Sequence, residues 1–109
     1  MYEEEAELLA EYAERLQELR KCLKVDRANV KIMELEKEMA QPGFWDDPEK
    51  AQKIVQQLKN HKSLVEAPDK LQSELEDATV LVELGQAEED PSVGDEIAEL
   101  ARDLSKKLD

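Results

Sequence analysis

The sequence predicts an all-α fold, an elongated and mostly antiparallel bundle of about four helices, and three observations carry that prediction. Apolar residues recur at spacings of three and four over nearly the whole chain, the signature of helices with one buried face. The composition is 39% charged and 40% hydrophobic with only 4% aromatic, a profile of helical bundles rather than sheets. Only three glycines and four prolines interrupt 109 residues, so the breaks are few and readable. Residues 1–109 are expected to form a single domain with helices at about 3–24, 27–40, 48–84 and 92–108, long enough for a modest core.

The first helix carries Leu8, Tyr12, Leu16, Leu19 and Leu23 at spacings of 4, 4, 3 and 4, widened by Leu9 and Ala13. Glutamates crowd its start, and Arg20, Lys21 and Lys24 its end, both favoured by the helix dipole. Asp26 is expected to cap a second helix bearing Ala28, Ile32, Leu35 and Met39. That helix stops at Pro42 and Gly43, because proline has no N–H for the ladder and disfavours helical geometry in the residue before it.

Pro42, Phe44, Trp45, Asp47 and Pro48 form a predicted structural corner. Asp46 or Asp47 caps the third helix, Pro48 suits its first position, and Glu49 meets the positive end of its dipole. Phe44 and Trp45 are expected to act as a hydrophobic staple closing a bundle end, with contact to a partner as the alternative. The third helix then shows Ala51, Ile54, Leu58, His61 and Val65, meets Pro68, and continues the same rhythm through Leu71, Leu75, Ala78 and Val82. A proline inside a helix costs about 3 kcal/mol, yet the apolar face passes straight through it. One long helix kinked near Pro68 is therefore expected, with a full break as the alternative. Gly85 is expected to close it. Glu88-Glu89-Asp90-Pro91 repeats the aspartate–proline start, and Ile97, Leu100, Leu104 and Leu108 carry the last helix.

Composition also excludes. A net charge of −13 argues against broad electrostatic attachment to nucleic acid or to an anionic membrane. Apolar runs of about three residues fall far short of the ~20 that span a bilayer. The acidic start Met1-Tyr2-Glu3-Glu4-Glu5 does not read as a signal peptide, so a soluble, cytoplasmic protein is expected. Catalysis needs titratable groups gathered and desolvated. His61 is the only histidine and falls on an apolar helix side; Cys22 is the only cysteine, with basic neighbours but no accompanying base. Glu88, Glu89 and Asp90 lack the alternating ligands and central glycine of a calcium loop. No catalytic residue, cofactor site, metal site or small-molecule substrate is predicted.

Charge is unevenly spread along the third helix. Lys50, Lys53, Lys59 and Lys62 outweigh Glu49 and Glu66 over residues 48–67, whereas residues 68–90 hold eight carboxylates against Lys70. Ordinary solvated faces explain this, with the lysines answering acidic neighbours on the first helix. The functional alternative is a lysine half touching an RNA and an acidic half facing a basic protein.

The stretch ELEKEMAQPGFWDDPEKAQ, Glu34 to Gln52, resembles the amino-terminal domain of bacterial peptide chain release factors of the factor 2 type, where a helix leads into a PxxWxxPExAQ corner. The likeness extends back through Leu19, Arg20, Leu23 and Asp26 and forward through Leu75, Glu76 and Asp77 to the turn at Glu88–Asp90. Before Glu34, LKVDRANVKIM follows the family pattern only in part. The resemblance implies a non-catalytic domain of a factor that ends translation at UGA and UAA, with the ribosome at the base of its stalk and a recycling GTPase as partners. The Gly-Gly-Gln loop that promotes peptidyl-tRNA hydrolysis in that family, and its Ser-Pro-Phe-type codon reader, have no counterpart among these residues; Leu84-Gly85-Gln86 is a false echo. A free-standing helical adaptor, or a release-factor relative repurposed for RNA binding, remains open on composition.

Overall fold

The computed structural model describes residues 1–108, and every regular element among them is helical. Helix α1 spans Glu3–Cys22, α2 Val25–Met39, α3 Pro48–Glu88 and α4 Gly94–Leu108. Short 3₁₀ turns at Phe44–Asp46 and Pro91–Val93 lead into α3 and α4. The chain forms two compact units, one of Met1–Leu19 with the residues from Asp69 onward, the other of Arg20–Pro68.

In the first unit, Leu9, Tyr12 and Leu16 of α1 pack with Leu71, Leu75, Ala78 and Val82 of α3 and with Ile97 and Leu104 of α4. Leu16, Ile97 and Leu104 are fully buried, each contributing on the order of 1.5–3 kcal/mol. The stripe on α1 is centred on Leu9, Tyr12 and Leu16, with Leu8, Ala13 and Leu19 at its margins. Leu23 is left exposed because α1 ends at Cys22, one residue before it.

The junction of α1 and α2 differs from expectation. Asp26 does not cap α2; Lys24 occupies the cap position in the left-handed region (φ 55°) and offers no side-chain hydrogen bond, and Asp26 falls in the first turn, where the dipole favours it. This left-handed step turns Val25 fully inward. There it packs with Ala28, Ile32 and Val65 in the core of the second unit.

Helix α3 runs unbroken through Pro68, which is fully buried. The alternative of a full break is therefore absent, and α3 is the one long helix expected. Nor does Gly85 end the helix. It is a buried residue inside α3, and a Cβ there would lie 2.7 Å from the ring of Tyr2. The missing side chain thus admits an aromatic ring, whose hydroxyl donates to the Asp90 carbonyl at 2.6 Å. Burial there, with Asp90 and Glu5 nearby, raises the Tyr2 phenol above its ordinary value and keeps it a donor. The left-handed residue that closes α3 is Glu89 (φ 49°). Asp90 N–H donates to the Gly85 carbonyl at 3.0 Å and Glu89 N–H to that of Gln86 at 3.3 Å, the pairing of a Schellman motif with glutamate where glycine is usual.

Asp90 then serves the next element, its Oδ1 accepting the Ser92 N–H at 2.9 Å. The hydrogen bonds from Ser92 hold the Asp90 carboxyl below its ordinary value. Beginning α4 at Gly94 rather than Ser92 follows from the 3₁₀ turn that Pro91 starts. Lys107 reaches Glu74 at 2.9 Å, so α4 returns along α3, and that carboxylate raises Lys107 above its usual value.

Two substitutions should separate these glycine-like roles. Glu89→Gly should stabilise the chain by about 0.5–1 kcal/mol by relieving the left-handed backbone. Gly85→Ala, which would gain helix propensity on an exposed site, should instead lower the midpoint of urea unfolding because Tyr2 must move. Pro68→Ala should stabilise modestly, by about 1 kcal/mol: the helix gains ~3 kcal/mol while the lost ring atoms cost roughly 1–2 kcal/mol of packing. Urea unfolding followed by circular dichroism checks all three.

Candidate interaction surfaces

The corner between α2 and α3 is built by backbone hydrogen bonds in sequence. Ala40 N–H donates to the Glu36 carbonyl and Gln41 N–H to that of Glu38, closing α2 ahead of Pro42. Gly43 takes the left-handed conformation (φ 79°) that proline and β-carbon-bearing residues avoid, and starts the 3₁₀ turn. Asp47 is extended, and its Oδ1 accepts the Lys50 N–H at 3.2 Å, capping α3 with Pro48 in its first turn.

Phe44 and Trp45 do not act as a staple. A staple joins the residue before the cap to the fourth helical residue, here Asp46 and Ala51, neither of them a large apolar side chain. The two rings pack on each other instead, edge to face, with centroids 4.8 Å apart. Phe44 is half-buried and Trp45 is 63% exposed, so Trp45 closes no bundle end. Pro42, Asp47 and Pro48 are exposed beside it.

Lys50, Lys53, Lys59 and Lys62 are all exposed, but they do not form one surface. At about 100° per residue, Lys50 and Lys53 fall on one flank of the buried line Ala51–Leu58–Val65, and Lys59 and Lys62 on the other. Lys62 pairs with Glu36 at 3.2 Å. The acidic neighbour is thus on α2, not on the first helix as expected, because α3 returns along α2 after the corner.

The charge division is deeper than the third helix alone. The unit of Met1–Leu19 with the residues from Asp69 onward holds five Lys or Arg against twenty Asp or Glu, a net −15. The unit of Arg20–Pro68 holds ten against eight, a net +2. The change of sign along α3 coincides with the boundary between the units at Pro68.

Titratable chemistry is sparse. Cys22 is exposed and His61 is half-buried on α3. Among the described residues no group of three His, Cys, Asp or Glu is placed to hold a metal, and no helix is long and apolar enough to cross a membrane.

Residues 28–109, from the second turn of α2 onward and so including the corner, match the family model of the PCRF domain. The chain belongs to the PCRF-domain family. This PCRF domain is 36% identical over 97 residues to a peptide chain release factor 2 from Exiguobacterium sp., a match covering 89% of the chain and 26% of that protein. Against the release factor 2 of Proteus mirabilis it is 35% identical over 102 residues, 93% of the chain and 28% of the relative. Identity reaches 43% over 77 residues with that of Arthrobacter sp., over 70% of the chain and 21% of the relative. The chain therefore spans about a quarter of the length of the curated relatives it matches. The similarity to factor 2 that PxxWxxPExAQ suggests thus extends over most of the chain.

Asp47→Ala should cost about 1 kcal/mol through the lost cap. Trp45→Ala should change the unfolding free energy by well under the ~3–5 kcal/mol of a buried tryptophan, given its exposure. Urea unfolding of the two variants measures both; a large loss for Trp45→Ala would contradict the exposed placement.

Proposed function

We propose that the chain is the amino-terminal, non-catalytic domain of a class I peptide chain release factor of the factor 2 type, acting in termination at UGA and UAA codons in the cytoplasm. The observation that carries this reading is the match of residues 28–109 to the PCRF domain, together with release factor 2 relatives aligned over about nine-tenths of the chain. The domain's role is contact, with the ribosome near the base of its stalk and with a recycling GTPase, while hydrolysis of peptidyl-tRNA belongs to the rest of the factor. Exposed lysines support a binding part.

Within this reading the Arg20–Pro68 unit supplies the contact to ribosomal RNA. Its net charge is slightly positive, whereas phosphate repels a unit of net −15. Lys50 and Lys53 form one candidate contact, next to the corner, and Lys59 and Lys62 a second on the opposite flank. The pairing of Lys62 with Glu36 does not remove it, because an ion pair this exposed is worth little and exchanges readily for phosphate. The acidic unit faces a basic ribosomal or partner protein.

Ribosome co-sedimentation at low and moderate salt tests the reading. Lys50→Glu with Lys53→Glu, and separately Lys59→Glu with Lys62→Glu, should show which flank carries the contact. At least one pair should weaken binding and flatten its salt dependence without changing the helical circular dichroism signal. Unchanged binding of the fourfold reversal at low salt would overturn the lysine contact. Failure of the unaltered chain to bind, or to compete with a full-length factor, would overturn an autonomous ribosomal role.

A further inference from the structure

The Arg20–Pro68 unit carries a second surface that the lysines above do not include. An open groove of about 360 Å³ lies where the α1–α2 junction and α2 meet α3. Its apolar lining is Leu23, Ala28 and Leu64; its basic lining is Lys24, Arg27 and Lys31, joined by His61. No carboxylate lines it. We propose that this groove is a docking site for an acidic amphipathic helix of a partner protein.

The placement follows from the fold. Lys24, Arg27, Ala28 and Lys31 recur at spacings of three and four, which puts them along one face of α2. His61 and Leu64 are one turn apart on α3 and form the facing wall. The left-handed backbone at Lys24 ends the line of α1 there and leaves Leu23 at 36% exposure. Leu64 is 38% exposed. Two leucines partly open to water within one basic-lined groove offer contact points for apolar anchors. A helix laid in the groove would set leucine-like residues at i, i+3, i+4 and i+7 against Leu23, Ala28 and Leu64, with glutamates on its flanks reaching Lys24, Arg27 and Lys31.

The groove chemistry favours such a helix over RNA. The lining contains no Phe, Tyr or Trp on which a base stacks, the usual platform in single-strand binding. Its leucines offer nothing to a phosphate. Lys31 is partly answered by Glu34 at 3.4 Å, an exposed pair that an incoming glutamate displaces at little cost. The inference is independent of the ribosomal reading, since it needs only a partner of this chemistry, and its test contains no ribosome.

The probe is a synthetic peptide of roughly 20 residues, helical, with leucines on one face and glutamates elsewhere, added to the ¹⁵N-labelled chain. The expected result is a change of the amide resonances around Leu23, Ala28 and Leu64, fading as salt rises. The K24E/R27E/K31E variant should weaken binding about tenfold or more, from three lost charge contacts. Leu64→Asp, which leaves those three cations in place, should abolish the same changes. All four positions are exposed, and the helical circular dichroism signal should be retained. The proposal is overturned if the peptide leaves the groove resonances unmoved, if the charge-reversed variant binds it equally well, or if a single-stranded oligouridine moves them more strongly than the peptide does.

Discussion

The structure depends on one constraint, that α3 continues as a single helix through Pro68 while its buried line turns to a new face there. Each compact unit takes its share of that line. Leu58 and Val65 lie on the stretch within Arg20–Pro68, and Leu71, Leu75, Ala78 and Val82 on the stretch from Asp69 onward. A proline in a helix interior removes one ladder hydrogen bond and crowds the preceding turn, at about 3 kcal/mol. Burial of the Pro68 ring and of the leucines and valines on both sides offsets this. The register slips by one residue at Pro68, since Val65 and Leu71 are six apart where seven would keep the face, and the buried line swings by about 100° there.

The same point on the helix divides the electrostatics. Twenty carboxylates against five cations lie on one unit, with near balance on the other. The overall net charge of −13 conceals this division, since nearly all of it belongs to one unit.

Much of the fold was legible in the residues. The helices, the stop at Pro42, the Asp47 cap and the passage through Pro68 all follow from spacing and from the chemistry of proline and aspartate. The misreadings share a cause. Gly85 reads locally as a terminator, and only the ring of Tyr2, more than eighty residues away in the chain, shows why a side chain is excluded there. Glu89 and Lys24 take left-handed conformations that favour glycine or asparagine, so their residue types gave no warning. Val25 is wholly buried and extends the Ala28–Ile32–Leu35 stripe by one step, but it lies before the start expected for that helix at about residue 27.

The candidate surfaces were legible only as inventories. The four lysines of α3 were visible as a charge excess, but their division between two flanks appears only once the buried line of α3 is known. The groove at Lys24, Arg27 and Lys31 was missed, although their spacing on one helix face was readable, because nothing in the sequence brings Leu64 of α3 against α2.

Amide hydrogen exchange of the free chain across residues 62–75, resolved by nuclear magnetic resonance, tests the continuity of α3 most directly. The account requires slow, helix-like exchange for Glu66 and Ala67 before Pro68, and for Lys70 and Leu71 after it. Exchange at unfolded-chain rates for Asp69, Lys70 and Leu71, whose N–H groups would be the orphan donors of a new helix start, would mean two separate helices and would contradict the account.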